Sequence, residues 1–262
     1  MRRAGAARNP EMTARSVEPE RMRGIVYRGR VTLSYEPGVL SHEEAGEFAA
    51  LAARGIQELE QLAGLPARTR VRFELRSTTR ISSARGRTIQ LPIDRVAARS
   101  APYLHEIAHV LLPCRHAPAW FSEGLASYLE CVVSERGGGY DSRLFTSEGN
   151  RGVDADAEGW LAEPRGQRVL PFIGTRGTPA GIVADRHNIA APFYVLAHSL
   201  VKFVAEQAGL SPIIRLARAR RFAGELRRLT GKRAAAWRAE WLRAVRPPVS
   251  RQSSSKRNTR GG

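Results

Sequence analysis

The segment His105-Glu106-Ile107-Ala108-His109, followed by Glu123 inside Trp120-Phe121-Ser122-Glu123-Gly124-Leu125-Ala126, constrains this chain more than any other feature. Residues four apart share a helix face, so the imidazoles of His105 and His109 can face one ion while Glu106, one position round, borders the same space. Two imidazoles do not hold a catalytic metal. A third protein ligand is needed, with the fourth position left open to water. The fold must therefore return a second helical segment against the first, and the run that contains Glu123 reads as that segment.

The surroundings suit a buried helix. Ser100 is placed to cap it, Pro102 is tolerated in its first turn, and Pro113 closes it. Tyr103, Leu104, Ile107, Ala108, Leu111 and Leu112 provide apolar surface all round. On the second segment Glu123 and Glu130 are seven positions apart and share a face. Spacing alone leaves both as candidates for the third ligand. Two neutral imidazoles and one carboxylate leave a zinc ion with net positive charge, able to acidify a water and polarise a carbonyl, and Glu106 is then placed to take the proton.

His-Glu-Ile-Ala-His with Trp-Phe-Ser-Glu-Gly-Leu-Ala-Ser-Tyr-Leu-Glu, Trp120 to Glu130, resembles the gluzincin zinc metallopeptidases. Within that thermolysin-like clan it is most similar to the aminopeptidase-N-type catalytic module and to small bacterial peptidase-MA-like domains. The resemblance implies one Zn2+ held by His105, His109 and Glu123, with Glu130 outside the metal shell. It also implies Glu106 as general base and a peptide or protein substrate. In the resembling family a tyrosine on a downstream helix donates to the oxyanion; the counterpart here is Tyr194. His198, four residues on and on the same face, is the alternative, and packing roles for both remain open. The likeness is specific over residues 88 to 132, looser over 24 to 87 and 190 to 246, and absent elsewhere. A glycine-x-methionine-glutamate-asparagine motif, which binds a free amino terminus in the aminopeptidases, has no counterpart before His105, so an endopeptidase is expected. Two other readings stand beside this one: an inactive pseudopeptidase that binds peptides, and a DNA-associated protein using its arginine-rich ends.

The expected architecture is α+β. A small twisted sheet lobe with one helix (24–100) would pack on a mostly helical lobe, in the thermolysin-like manner. The zinc-site helices would span 101–135, an irregular insert 136–189 and a helical lobe 190–246, between a polar leader (1–23) and a basic tail (247–262), both expected to be disordered. Val31, Leu33 and Tyr35 alternate, as do Val71, Phe73 and Leu75, and Thr88 to Pro92 reads as a third strand at the sheet edge, preceded by a mobile loop from Ser77 to Gly86. Ser41 with Glu44 forms a capping box for a helix ending near Gly64. Later helices are expected from Tyr194, from Pro212 to Arg221 and from Lys232 to Arg246, with Trp237 and Trp241 packing on the body. His116 and His187 read as solvated, and His42 as a helix-start residue.

The formal charge of +17 is not spread evenly. From Arg215 onward fifteen basic residues face two acidic ones, residues 1 to 30 carry eight against three, and the stretch between is close to neutral. Such ends give salt-sensitive attraction to nucleic acid or anionic surfaces, but no interleaved aromatic platform accompanies them. Cys114 and Cys131 cannot build a disulfide framework and read as packing thiols. No apolar run reaches the length of a membrane span, and Met1 to Gly24 carries no apolar signal-peptide core, so a cytoplasmic location is expected. Nothing in the sequence bears on oligomeric state.

Overall fold

The alternating residues of the amino-terminal third form a five-stranded mixed sheet in the order β1-β2-β3-β5-β4. The computed structural model describes residues 23–136, 140, 145–182, 185 and 188–246. The expected tail and, Arg23 apart, the expected leader lie outside the described residues, as does His187. β1 (Gly24–Arg28) and β2 (Val31–Tyr35) form an antiparallel hairpin. Its turn uses Gly29 at φ +57°, a conformation glycine adopts without the clash a Cβ would bring. β3 (Val71–Arg76) and β5 (Thr88–Pro92) run parallel to β2, and β4 (Ser83–Arg85) pairs antiparallel with β5. Val31, Leu33, Tyr35, Val71, Phe73, Leu75, Ile89 and Leu91 are all buried, so period-two alternation turns one face inward.

Two expectations for this region change. The segment 77–86 is not wholly loop, because Ser83–Arg85 hydrogen-bonds to β5. β5 is consequently interior, and the sheet edge passes to β4.

α1 (His42–Leu62) starts as the capping box demands. The Glu44 amide donates to Ser41 Oγ at 3.1 Å, and the Ser41 amide donates to Glu44 Oε2 at 2.8 Å. Phe48, Ala52, Ile56 and Leu59 turn inward, and near the helix end the buried carboxylate of Glu60 takes hydrogen bonds from Arg30 at 2.6 and 2.7 Å and from the Thr69 amide at 3.2 Å. This ties the β1–β2 turn and the approach to β3 to one helix end.

Among the described residues nine further α-helices follow. α2 (Ile93–Ala97) is a single turn between β5 and α3 (Tyr103–Leu111). α3 has Pro102, not Ser100, at its N-cap; the Ser100 hydroxyl instead donates to the Arg95 carbonyl at 3.4 Å. α4 (Ala119–Ser134) packs on α3 and on α7 (Ala190–Ala208), with α5 (Val153–Ala162) and α6 (Pro164–Val169) between them in sequence. Residues 136–189, expected to be irregular, therefore contain two helices and a 3-10 turn, Leu170–Phe172. Val153, Ala157, Leu161, Val169 and Ile173 join the core. α8 (Leu210–Leu216) is shorter than the expected 212–221 helix, α9 (Phe222–Thr230) was not anticipated, and α10 (Ala234–Val245) closes the described chain. Trp237 and Trp241 are buried, their indole N–H groups donating at 2.8 Å to Thr230 Oγ1 and Ser199 Oγ. No helix among the described residues is long and apolar enough to cross a membrane.

Candidate metal centre

α3 and α4 meet at a cleft of about 770 Å³, and each contributes to one cluster of donor atoms. His105 and His109, one helical turn apart, bring their Nε2 atoms to 3.0 Å. Glu123 Oε2 lies 3.3 Å from each of them. His105, His109 and Glu123 are, among the described residues, the group of three that could hold a metal ion. A tetrahedral ion with ligands at roughly 2.0–2.2 Å has ligand-to-ligand edges of roughly 3.3 Å, so two edges match and the third is slightly short. The donor set fits zinc.

Electrostatics agrees with the geometry. Burial opposes charge on His105, yet the carboxylate of Glu123, with Glu106 and Glu130 beyond it, raises its pKa to about 9. Burial would raise Glu123, but hydrogen bonds from His105 and His109 outweigh it and hold the carboxyl well below the usual range. Three carboxylates around two imidazoles favour positive charge at their centre, which a divalent ion held by His105, His109 and Glu123 would supply.

Glu130 occupies a different side of the cluster. Its Oε2 lies 3.9 Å from His105 Nδ1, the nitrogen turned away from Glu123, with the Ser127 hydroxyl 3.4 Å from that same nitrogen. Glu123, Ser127 and Glu130 thus form an i, i+4, i+7 stripe on α4 in which the first faces the cleft and the other two back the imidazole. Such partners orient a ligating histidine and select its tautomer. Ser127 was not singled out by sequence, although its place in that stripe would have found it.

Glu106 is 6 % exposed, lines the cleft, and is raised above its ordinary pKa chiefly by burial. Tyr194 also lines the cleft, its ring centroid 5.8 Å from that of His105. Burial, then the carboxylates of Glu123 and Glu106, push its phenol far above the usual value and keep it a donor. His198 goes elsewhere. It is 1 % exposed, its Nε2 lies 2.7 Å from Asn150 Oδ1, and burial lowers its pKa to about 3. It does not line the cleft. The structure places His198 in the core, bonded to Asn150, a partner no helical periodicity could announce.

The opposite wall comes from β4 and its turn: Ser82, Ser83, Ala84, Gly86 and Arg87. Arg115 also lines the cleft. Cys114 lines the cleft as well, which a packing thiol need not do; burial pushes it up to about 11, so it stays protonated. His42 sits at the start of α1, its Nδ1 3.1 Å from the Tyr35 hydroxyl, and His116 is exposed.

Solved structures that superpose on part of this chain include M1 zinc metallopeptidases. A point mutant of an M1 zinc metallopeptidase from Deinococcus radiodurans superposes with a TM-score of 0.49 and 16 % identity over 83 % of this chain. A second structure of it, bound to a Tyr-Ser-Ala substrate, gives 0.48 and 18 % over 85 %. This chain spans 49 % and 51 % of the length of those chains. No family model and no curated protein matches the sequence.

Proposed function

We propose that this chain is a zinc-dependent peptide-bond hydrolase, with His105, His109 and Glu123 holding one ion. The observation that carries the reading is the convergence of those three donors beside a buried carboxylate, Glu106, in one open cleft. Zinc, when bound, supplies Lewis acidity and a more acidic water. Glu106 accepts the proton of the attacking water and returns it to the leaving amine; its raised pKa suits both transfers. Tyr194, kept protonated, donates to the oxygen that gains charge in the tetrahedral intermediate. Glu130 and Ser127 hold His105 in the tautomer whose Nε2 lone pair faces the cleft.

Among the described residues the outer edge of β4 is unpaired in the sheet, so an extended substrate can add to it through main-chain hydrogen bonds. Capture of a free amino terminus needs an acidic group beside the metal ligands, yet Glu106 and Glu123 are the acidic residues lining the cleft among those described. This favours an endopeptidase over an aminopeptidase. Arg87 and Arg115 add positive charge near the substrate path and favour peptides with a carboxylate close to the scissile bond.

Metal analysis of the purified chain joined to a peptide-library digest, with and without chelator, tests the proposal. One zinc per chain and chelator-sensitive internal cleavage are expected. Zinc without cleavage would favour the pseudopeptidase, and absence of zinc from folded protein would end both readings.

A further inference from the structure

A second pocket, about 550 Å³, shares a loop with the cleft: Cys114 and Arg115 line the first, while His116, Ala117 and Pro118 line the second. Three helices begin at its wall. Pro118 is the N-cap of α4, Phe222 to Gly224 are the first turn of α9, and Ala234 opens α10. None of the three has a side-chain cap. The Phe121 and Ala236 amides bond back to the N-cap carbonyls of Pro118 and Arg233, so it is the amides ahead of them and those of Phe222 to Gly224 that are left near one place, with the positive ends of three helix dipoles.

Side chains repeat the sign. Arg176, Arg220 and Arg221 line the pocket, no carboxylate lines it, and none of the three arginines has an ion-pair partner among the described residues. Two aromatic rings also line it, Trp120 and Phe222, edge to face at 6.1 Å. Trp120 is 2 % exposed, and its indole N–H has no acceptor within hydrogen-bonding distance among the described residues. Buried donors are normally satisfied, so this one marks a place where an acceptor is missing. Guanidinium forks, helix amides and an indole N–H share one complement, an oxyanion, and the volume exceeds what a bare ion fills.

We propose that this pocket binds a carboxylate or phosphate group carried on an aromatic body. The flat body lies against Trp120 and Phe222, and the anionic group meets the arginines and the starts of α4 and α9. The site is independent of the hydrolytic reading, and its test involves no turnover.

The test follows the indole N–H resonance of Trp120 in the nitrogen-15-labelled full chain, identified by its loss in Trp120→Phe. Phenyl phosphate, hippurate, inorganic phosphate and neutral hippuramide are titrated separately. A saturable shift with phenyl phosphate or hippurate is expected, and the tighter of the two tells which anionic group the pocket takes. Arg220→Gln with Arg221→Gln should weaken binding about tenfold or more. Arg227→Gln with Arg243→Gln removes the same charge from exposed positions outside the pocket and should change it by less than about twofold. An equal shift with hippuramide, no shift at about 10 mM of either aromatic anion, or equal loss in the two double variants would overturn the proposal. Inorganic phosphate binding as tightly as phenyl phosphate would overturn its aromatic half.

Discussion

A Cβ placed on Gly124 would lie 2.4 Å from the carbonyl oxygen of Ala197. The residue after Glu123 is thus the point where α4 touches the backbone of α7, and that contact brings Glu123 and Tyr194 to one cleft. Alanine normally gains about 1 kcal/mol over glycine inside a helix. Here the added methyl meets backbone, which cannot rotate away, and overpacking of this kind costs about 1–3 kcal/mol. Gly124→Ala is expected to lower the urea midpoint and to weaken metal binding, as the two helices move apart. Unchanged stability with unchanged zinc affinity would show that α4 and α7 tolerate separation.

The three glutamates around His105 should separate cleanly by experiment. Glu123→Ala removes a donor and is expected to abolish stoichiometric zinc. Glu130→Ala leaves the donors intact and should weaken zinc about 10–100-fold, by freeing the Nδ1 side of His105. Glu106→Gln should leave zinc content unchanged and reduce peptide hydrolysis about 10²–10⁴-fold, since it removes only the proton acceptor. Elemental analysis and competition with a chelator give the first two results, and single-substrate kinetics the third. Loss of zinc in Glu130→Ala with retention in Glu123→Ala would reverse the ligand assignment.

Sequence carried the site further than the fold around it. A four-residue interval fixes relative direction on any helix, so the neighbouring faces of His105 and His109 were readable directly. Spacing could not separate Glu123 from Glu130, because both share an α4 face; what separates them is which nitrogen of His105 each approaches, a tertiary fact. β4 escaped because Ser83–Arg85 is too short to show alternation and owes its strand geometry to β5. α5 escaped because Val153, Ala157 and Leu161 form a thin apolar stripe among acidic residues and glycine, and α9 because Phe222 and Leu226 are its only buried positions. In these helices the partner surface, chiefly α7 for α5, supplies what local pattern lacks.

Ser199 joins three elements through one hydroxyl. It is wholly buried on α7, donates to Asp154 Oδ1 of α5 at 2.7 Å and accepts from Trp241 Nε1 of α10 at 2.8 Å. Ser199→Ala leaves a buried indole donor without its acceptor, and such a loss costs about 1–3 kcal/mol. The expected result is a lower unfolding midpoint with zinc content unchanged, read by denaturant titration and metal analysis of the same sample. A neutral effect would mean that water replaces the hydroxyl between the two helices.

His198 gives the fold an acid-sensitive component that arises chiefly from its own burial, with smaller contributions from Asp154, Lys202 and His105. Burial holds its folded pKa near about 3, against an ordinary value of 6.5. The sign follows from proton counts: between those two values the unfolded chain binds a proton that the native imidazole refuses, so stability rises with pH across that window and falls as pH drops through it. From pH 7 to pH 5 the contribution lost is about 2 kcal/mol, most of it below the unfolded pKa. His198→Gln keeps an amide donor for Asn150 but cannot titrate. Urea unfolding at the two pH values should therefore show a smaller loss of stability in the variant than in the wild type by about that amount. Equal losses in both proteins would mean that the His198 ring is reached by solvent and protonates in the native state.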